Sequence, residues 1–256
     1  MPDDMVNPVI LSLVVFLCVF GAGYLATVLR AAMPEHHLSA DTKDTVKLSM
    51  GLVATMTALV LGLLVASAKG TYDVDRTNII NMAAKLVMLD RLFGHYGPEA
   101  APLRVTLRES VQEMVDRLWP DSHTEHARLD PSASSGDAIY FGIESLPASD
   151  DLHRGMKARG LTAAVEIGHS RWLLLAESAS SISFPLLLVV VFWLSILFFS
   201  FGLFAPPNAT AVAALFISAL SVAGAIFLII ELATPFDGVV RIPSRPMHMV
   251  LDHLGK

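Results

Sequence analysis

Residues 178–230 read SASSISFPLLLVVVFWLSILFFSFGLFAPPNATAVAALFISALSVAGAIFLII, 53 residues without one charged side chain. A single bilayer crossing takes about 20 apolar residues, so this run is two crossings long. It breaks once, at Ala205-Pro206-Pro207-Asn208-Ala209-Thr210. Two prolines and an asparagine supply turn chemistry that a helix interior does not accept. The stretch therefore reads as a helical hairpin in lipid, Phe184 to Phe204 and Ala209 to Leu232. Asn208-Ala209-Thr210 matches a glycosylation sequon, but a tight turn against a membrane makes the match a coincidence.

A second pair of uncharged runs lies near the N-terminus, Val6 to Leu29 and Leu48 to Ala68. Both are long enough to cross. Lipid offers backbone groups no partners, so segments of this composition must be helices. The short alternating segments of a membrane barrel are not visible. The chain is 54% hydrophobic and 16% charged, with a mean hydropathy of +0.57. The expected fold is an all-α integral membrane protein of four transmembrane helices, arranged as two hairpins with a helical segment between them. The start, Met1-Pro2-Asp3-Asp4, is acidic where a cleaved signal peptide would be basic, so the first run reads as a retained span.

Four crossings place both termini on one side together with residues 69–177. Near the span ends that side carries Lys69, Arg76, Lys85, Arg171, Arg241 and Arg245, against Arg30, Lys43 and Lys47 on the other. The excess of basic residues marks the first side as cytoplasmic. The expected divisions are a first hairpin at 1–70, a helical cytoplasmic region at 71–180, a second hairpin at 181–233 and a cytoplasmic tail at 234–256. The single Cys18 lies inside the first span, where it reads as an apolar filler with no disulfide partner in the chain.

Residues 69–177 hold 12 Lys and Arg against 16 Asp and Glu, a net charge of −4. That balance excludes a nucleic-acid surface. Ile79, Met82, Ala83, Leu86, Leu89 and Phe93 repeat with helical period, so the second span is expected to run on as one long helix. Gly94-His95-Tyr96-Gly97-Pro98 ends it. A second helix carries Leu103, Leu107, Val111, Met114, Val115 and Leu118 on one stripe and stops at Trp119-Pro120. Residues 121–136 are polar and rich in Ser, Asp and Pro, a mobile linker. A third helical stretch, about Asp151 to Ser180, returns to the membrane.

The second span is unusual. Gly51, Thr55, Ala58, Gly62 and Ala66 form a stripe of small residues, with Lys47 at one end and Lys69 at the other. Small residues let helix backbones approach, which is the packing reading. The other reading is a pore face: small groups leave width, Thr55 and Thr57 offer polar contacts, and lysines at the mouths draw anions. The fourth span repeats the theme with Ala214, Ser218, Ser221 and Ala225, where packing is the better account. Glu231, at the end of that span, is a functional candidate by its depth, although the end of a span also lets it reach water. Phe236 suits the membrane interface. Catalytic residues are not indicated: no GxGxxG, P-loop, HExxH or GxSxG is present. His36, His37, Glu35 and Asp41 have no metal-site spacing, and His123, Glu125 and His126 read as solvated polar residues, so neither metal nor cofactor is expected.

Several segments in combination resemble a known family. They are Gly51-Leu52-Val53-Ala54-Thr55 through Ala66-Ser67-Ala68-Lys69, Leu89-Asp90-Arg91, and Tyr96-Gly97-Pro98-Glu99. Further ones are Arg171-Trp172-Leu173-Leu174, Phe192-Trp193-Leu194, Phe201-Gly202-Leu203-Phe204-Ala205-Pro206 and Pro235-Phe236-Asp237-Gly238. Together, over about residues 9–250, they are similar to the bacterial bestrophin-like membrane proteins, the DUF4239 family. The resemblance implies a distant relation to bestrophins, pentameric anion channels whose second span lines a central pore. It would give that role to Gly51, Thr55, Ala58, Gly62 and Ala66, in a homo-oligomer embedded in the lipid bilayer. Two departures stand out: the stripe has no bulky apolar constriction, and no run of clustered acids matches the calcium site of the animal channels. Where the family often carries an acid before the Pro-Phe pair, this chain has Ala233 and Thr234. The expected function is an oligomeric channel passing small anions. The alternative is a non-conducting scaffold or sensor whose cytoplasmic helices bind a partner. A membrane enzyme would require Glu231 to converge with His169 or Asp90.

Overall fold

The computed structural model describes residues 7–30, 32–33, 40–120, 135–178, 184–206 and 208–255. Among these the chain is helical, without strands. The helices are α1 (Pro8–Arg30), α2 (Ala40–Tyr96), α3 (Ala101–Leu118), α4 (Ser135–Ser145), α5 (Asp151–Ser178), α6 (Phe184–Phe204), α7 (Ala209–Leu232) and α8 (Arg245–His253), with a 3-10 turn at Pro98–Ala100. Four of them, α1, α2, α6 and α7, are long and apolar enough to cross a membrane. The chain is a multi-pass membrane protein.

The helices fall into two compact units, residues 1–70 with 181–233, and residues 71–180 with 234–256. In the first, α1 packs on α6 and on α7. The packed partners are thus distant in sequence. Val15, Val19, Gly23 and Ala26 form the buried stripe of α1. Leu187, Val190, Leu194, Leu197 and Phe198 form that of α6. The closest approach is backbone on backbone: a Cβ on Gly202 would overlap the carbonyl oxygen of Gly23 and lie 3.2 Å from the Ala26 methyl. A Cβ on Gly23 would lie 3.2 Å from the Phe198 carbonyl oxygen. In lipid, such close approach supplies association that apolar burial cannot, because the acyl tails are as apolar as the side chains.

Aromatic rings complete the α1–α7 seam, with Phe216 edge-on to Phe16 and Phe20 at 5.4 and 5.5 Å between centroids. Leu215, Ala219, Ala223 and Ile226 are among the buried residues of α7. Ala214, Ser218 and Ser221, expected to pack, are exposed instead, and Ala225 is half-buried. Arg30, in the last turn of α1, donates to the Ala205 carbonyl beyond the end of α6. That carbonyl is one a helix end leaves without a partner.

The second unit holds a helical hydrophobic core. The lower half of α2 gives Ile79, Met82, Leu86, Leu89 and Phe93; α3 gives Leu103, Leu107, Val111, Val115 and Leu118. Ile139 and Ile143 of α4 and Leu174 of α5 join them. The C-terminal segment belongs to this core: Phe236, Ile242, Met247, Val250, Leu251 and Leu254 are all buried in it. Phe236 stands edge-on to Trp119 inside this core, 5.9 Å between centroids. Helix α4 begins at Ser135, inside the segment expected to be linker; the rest of that linker, residues 121–134, lies outside the described residues.

Candidate functional site

Helix α2 has 57 residues and, at 1.5 Å each, is about 85 Å long. Its uncharged part, Leu48 to Ala68, spans about 30 Å, the thickness of a bilayer's hydrocarbon core. Within that part Thr57, Leu64 and Ala68 are buried. Gly51, Thr55, Ala58, Gly62, Ala66, Lys47 and Lys69 are all exposed. At about 100° per residue the small stripe is centred about 140° around the helix from the buried face. The candidate residues therefore share one side of α2, and it is the side the subunit leaves open.

A Cβ added to Gly51 or Gly62 meets nothing within 4 Å. The contrast with Gly23 and Gly202 is direct. Those two glycines are where helices touch inside the subunit, and Gly51 and Gly62 are not. Beside the small stripe runs a bulky one, with Leu48, Leu52, Leu59 and Leu63 exposed. Thr55 donates its hydroxyl to the carbonyls of Gly51 and Leu52 at 3.1 and 2.8 Å, so it presents only lone pairs outward. Thr57 donates to Val53 at 2.7 Å and is buried, which removes it from the open face. Lys47 pairs with Asp44 at 3.5 Å, both side chains more than two-thirds exposed. An exposed pair of this kind contributes roughly 0–1 kcal/mol and leaves much of the local field to salt screening.

Other candidates lie elsewhere. Glu231 is buried, not water-reaching, in the last turn of α7. Asp90 is buried and accepts from Arg104 Nε and Nη2 at 2.8 and 2.9 Å, with the Gly255 amide at 3.4 Å. This doubly bonded carboxylate has little left for catalysis. It also holds the Arg104 guanidinium firmly in its charged form, its hydrogen bond outweighing burial. His169 is exposed on α5. The described residues hold no cluster of three His, Cys, Asp or Glu fit for a metal. His36, His37 and Glu35 lie outside the described residues.

One of the motif segments ends α2. Tyr96 is its last residue, and its hydroxyl donates to the Pro147 carbonyl at 2.6 Å. Gly97 then takes φ 123°, ψ −173°, a conformation left almost entirely to glycine. The Pro235-Phe236-Asp237-Gly238 segment closes a turn in which Ile242 N–H donates to Pro235 at 2.7 Å, while Trp119 Nε1 donates to Ile242 at 2.8 Å. These motifs shape the second unit.

With this geometry in view, a family model described as the Bestrophin-like domain matches residues 17–247. The chain belongs to the bestrophin-like family. Crystal structures of two mutant forms of a bacterial bestrophin homologue from Klebsiella pneumoniae share the fold. One gives a TM-score of 0.68 at 14% identity, covering 94% of this chain and 97% of that one. The other gives 0.65 at 13% identity, covering 93% and 97%. No curated protein matches the chain. The bestrophin-like chain thus shares its architecture with these structures over nearly its whole length, at an identity that speaks for fold alone.

Proposed function

We propose that this bestrophin-like protein is a homo-oligomeric channel for small anions, with the small-residue face of α2 turned toward a central axis. The observation that carries the reading is the open face itself: α1 and α6 meet backbone to backbone at Gly23 and Gly202, whereas Gly51 and Gly62 of α2 face open space. A helix without charge inside the bilayer makes no ion path alone, so several copies must enclose one. Gly51, Thr55, Ala58, Gly62 and Ala66 would give such a path width, and Lys47 and Lys69 would raise the anion concentration at its mouths. The family's pentameric bestrophins suggest five copies. The basic excess flanking the spans favours an inner-membrane protein with both termini in the cytoplasm.

The second reading, a scaffold or sensor, makes the same face a seam between copies. Gly62→Leu separates the two, because a Cβ at Gly62 meets nothing within 4 Å in its own chain. Purified protein in liposomes is expected to pass chloride, and Gly62→Leu to cut the flux at least about tenfold without changing the oligomer's mass. A dissociated Gly62→Leu oligomer would establish the seam. Absence of anion flux from the intact oligomer at every pH and voltage would end the channel reading.

A further inference from the structure

The end of α2 is fastened by an arrangement that requires a proton. Asp150 caps α5: its Oδ1 accepts from the His153 amide at 2.7 Å, the N-cap pattern. The same carboxylate faces the His153 ring, with Nδ1 at 2.8 Å from Oδ1 and 2.9 Å from Oδ2. The other ring nitrogen, Nε2, lies 3.1 Å from the Tyr96 carbonyl oxygen. Tyr96 and His153 rings meet edge to face, 4.8 Å between centroids. The Tyr96 carbonyl belongs to the last turn of α2, where helices leave carbonyls unpaired and carry partial negative charge.

Neither acceptor has a proton to give. A carbonyl oxygen only accepts, and so does an ionised carboxylate. Asp150 stays ionised because the backbone and ring N–H groups of His153 hold its carboxyl below the usual carboxylate range. Both ring nitrogens must therefore donate, and a ring that donates twice is an imidazolium. We propose that His153 is a proton-operated latch that ties the cytoplasmic end of α2 to the start of α5. When the proton leaves, Nδ1 keeps its hydrogen toward the carboxylate. Nε2 is left with a lone pair facing the lone pairs of the Tyr96 oxygen, so the tie to α2 is the one that breaks.

The charged neighbours all favour the closed form. Asp150, before α5, and Glu99, in the turn after α2, each raise the His153 pKa above its usual value; the Asp150 hydrogen bond is the largest cause, and partial burial opposes it. Tyr96, the third ionisable group at the joint, spends its hydroxyl on Pro147. The sign follows from linkage. A raised histidine pKa gives stability that is complete below about 6.5, the unfolded value, and is lost as pH rises through the higher folded value. The lowered Asp150 pKa gives stability lost only in acid, below the ordinary carboxylate value. The latch therefore holds from mildly acidic to near-neutral pH and opens on the alkaline side. The open membrane face and the latched end belong to the same helix, α2.

The full chain in nanodiscs tests this. Histidine ring NMR signals, with the His153 resonance identified by its loss in His153→Gln, are expected to show His153 titrating above 6.5, and Asp150→Asn to bring it down. Amide exchange, corrected for intrinsic pH dependence, is expected to show several-fold loss of protection at Gly94–Tyr96 and at His153 between pH 6 and pH 8.5. His153→Gln should be low and flat across that range. A His153 titration at or below 6.5, or a wild-type profile as flat as that of His153→Gln, would overturn the latch. These readouts need no ion flux, so the latch and the channel reading can fail separately.

Discussion

At the scale of single residues, glycines do opposite things in the same membrane unit. Gly202 stands where a Cβ would overlap the Gly23 carbonyl, whereas Gly62 stands in open space. Gly202→Ala forces α1 and α6 apart along a backbone contact that no side-chain rotation can relieve. The expected cost is about 1–3 kcal/mol, at the upper end because backbone must move. Gly62→Ala is expected to leave the subunit's stability unchanged or to raise it slightly, alanine being the better helix former. Thermal denaturation of both variants in the same detergent checks the pair; equal effects would contradict the seam. The sequence does not distinguish these glycines. Each sits in an apolar run beside other small residues, and the distinction lies in which helix comes near.

At the scale of elements, boundaries were far more legible than faces. The ends of α6 and α7 coincide with Phe184–Phe204 and Ala209–Leu232 as read from charge and proline alone, because lipid tolerates no ambiguity about backbone satisfaction. Helix faces are another matter. A lipid-facing leucine and a buried one look alike, so the α7 seam at Leu215, Ala219, Ala223 and Ile226 was hidden behind a neighbouring stripe of small residues. The C-terminal helix did carry a signal: Met247, Val250, Leu251 and Leu254 fall at helical spacing, the pattern of a packed amphipathic helix rather than a tail. Helix α4 hid behind Ser135-Gly136-Asp137, which reads as linker until Ile139 and Ile143 are paired with α3. The C-terminal segment is also pinned by charge. Arg108 Nη1 donates to the carbonyls of Leu251 and Leu254 at 2.8 and 3.0 Å, and the buried Asp90–Arg104 pair meets the Gly255 amide. Arg104→Ala would strand the Asp90 carboxylate in the core of the second unit. Breaking a buried pair from one side costs roughly 3–5 kcal/mol, whereas Asp90→Asn combined with Arg104→Met should recover much of the loss. Chemical denaturation of the three proteins checks this; an additive double variant would show that the pair is not coupled.

At the scale of the whole molecule, the proposed pore would belong to an assembly of copies, and one chain's sequence shows only its own share of it. The small stripe on α2 was visible, and so were its lysines; that the face is left open by its own subunit required coordinates. If copies of α2 surround an axis, each charge at a mouth is repeated once per copy, and small changes on one chain become a ring. Asp44 now partly offsets Lys47 at the mouth of the expected outer side. Asp44→Asn removes that offset from every copy and should raise the permeability of anions relative to cations, while Lys47→Glu should lower it. Both shifts should shrink as ionic strength rises, since exposed charges are screened beyond about 10 Å at 0.1 M salt. Reversal potentials under a chloride gradient, taken at low and at high salt, measure the effect. If the two variants share the wild-type reversal potential at low salt, Lys47 does not stand at a mouth, and the α2 face must serve to join copies instead of conducting between them.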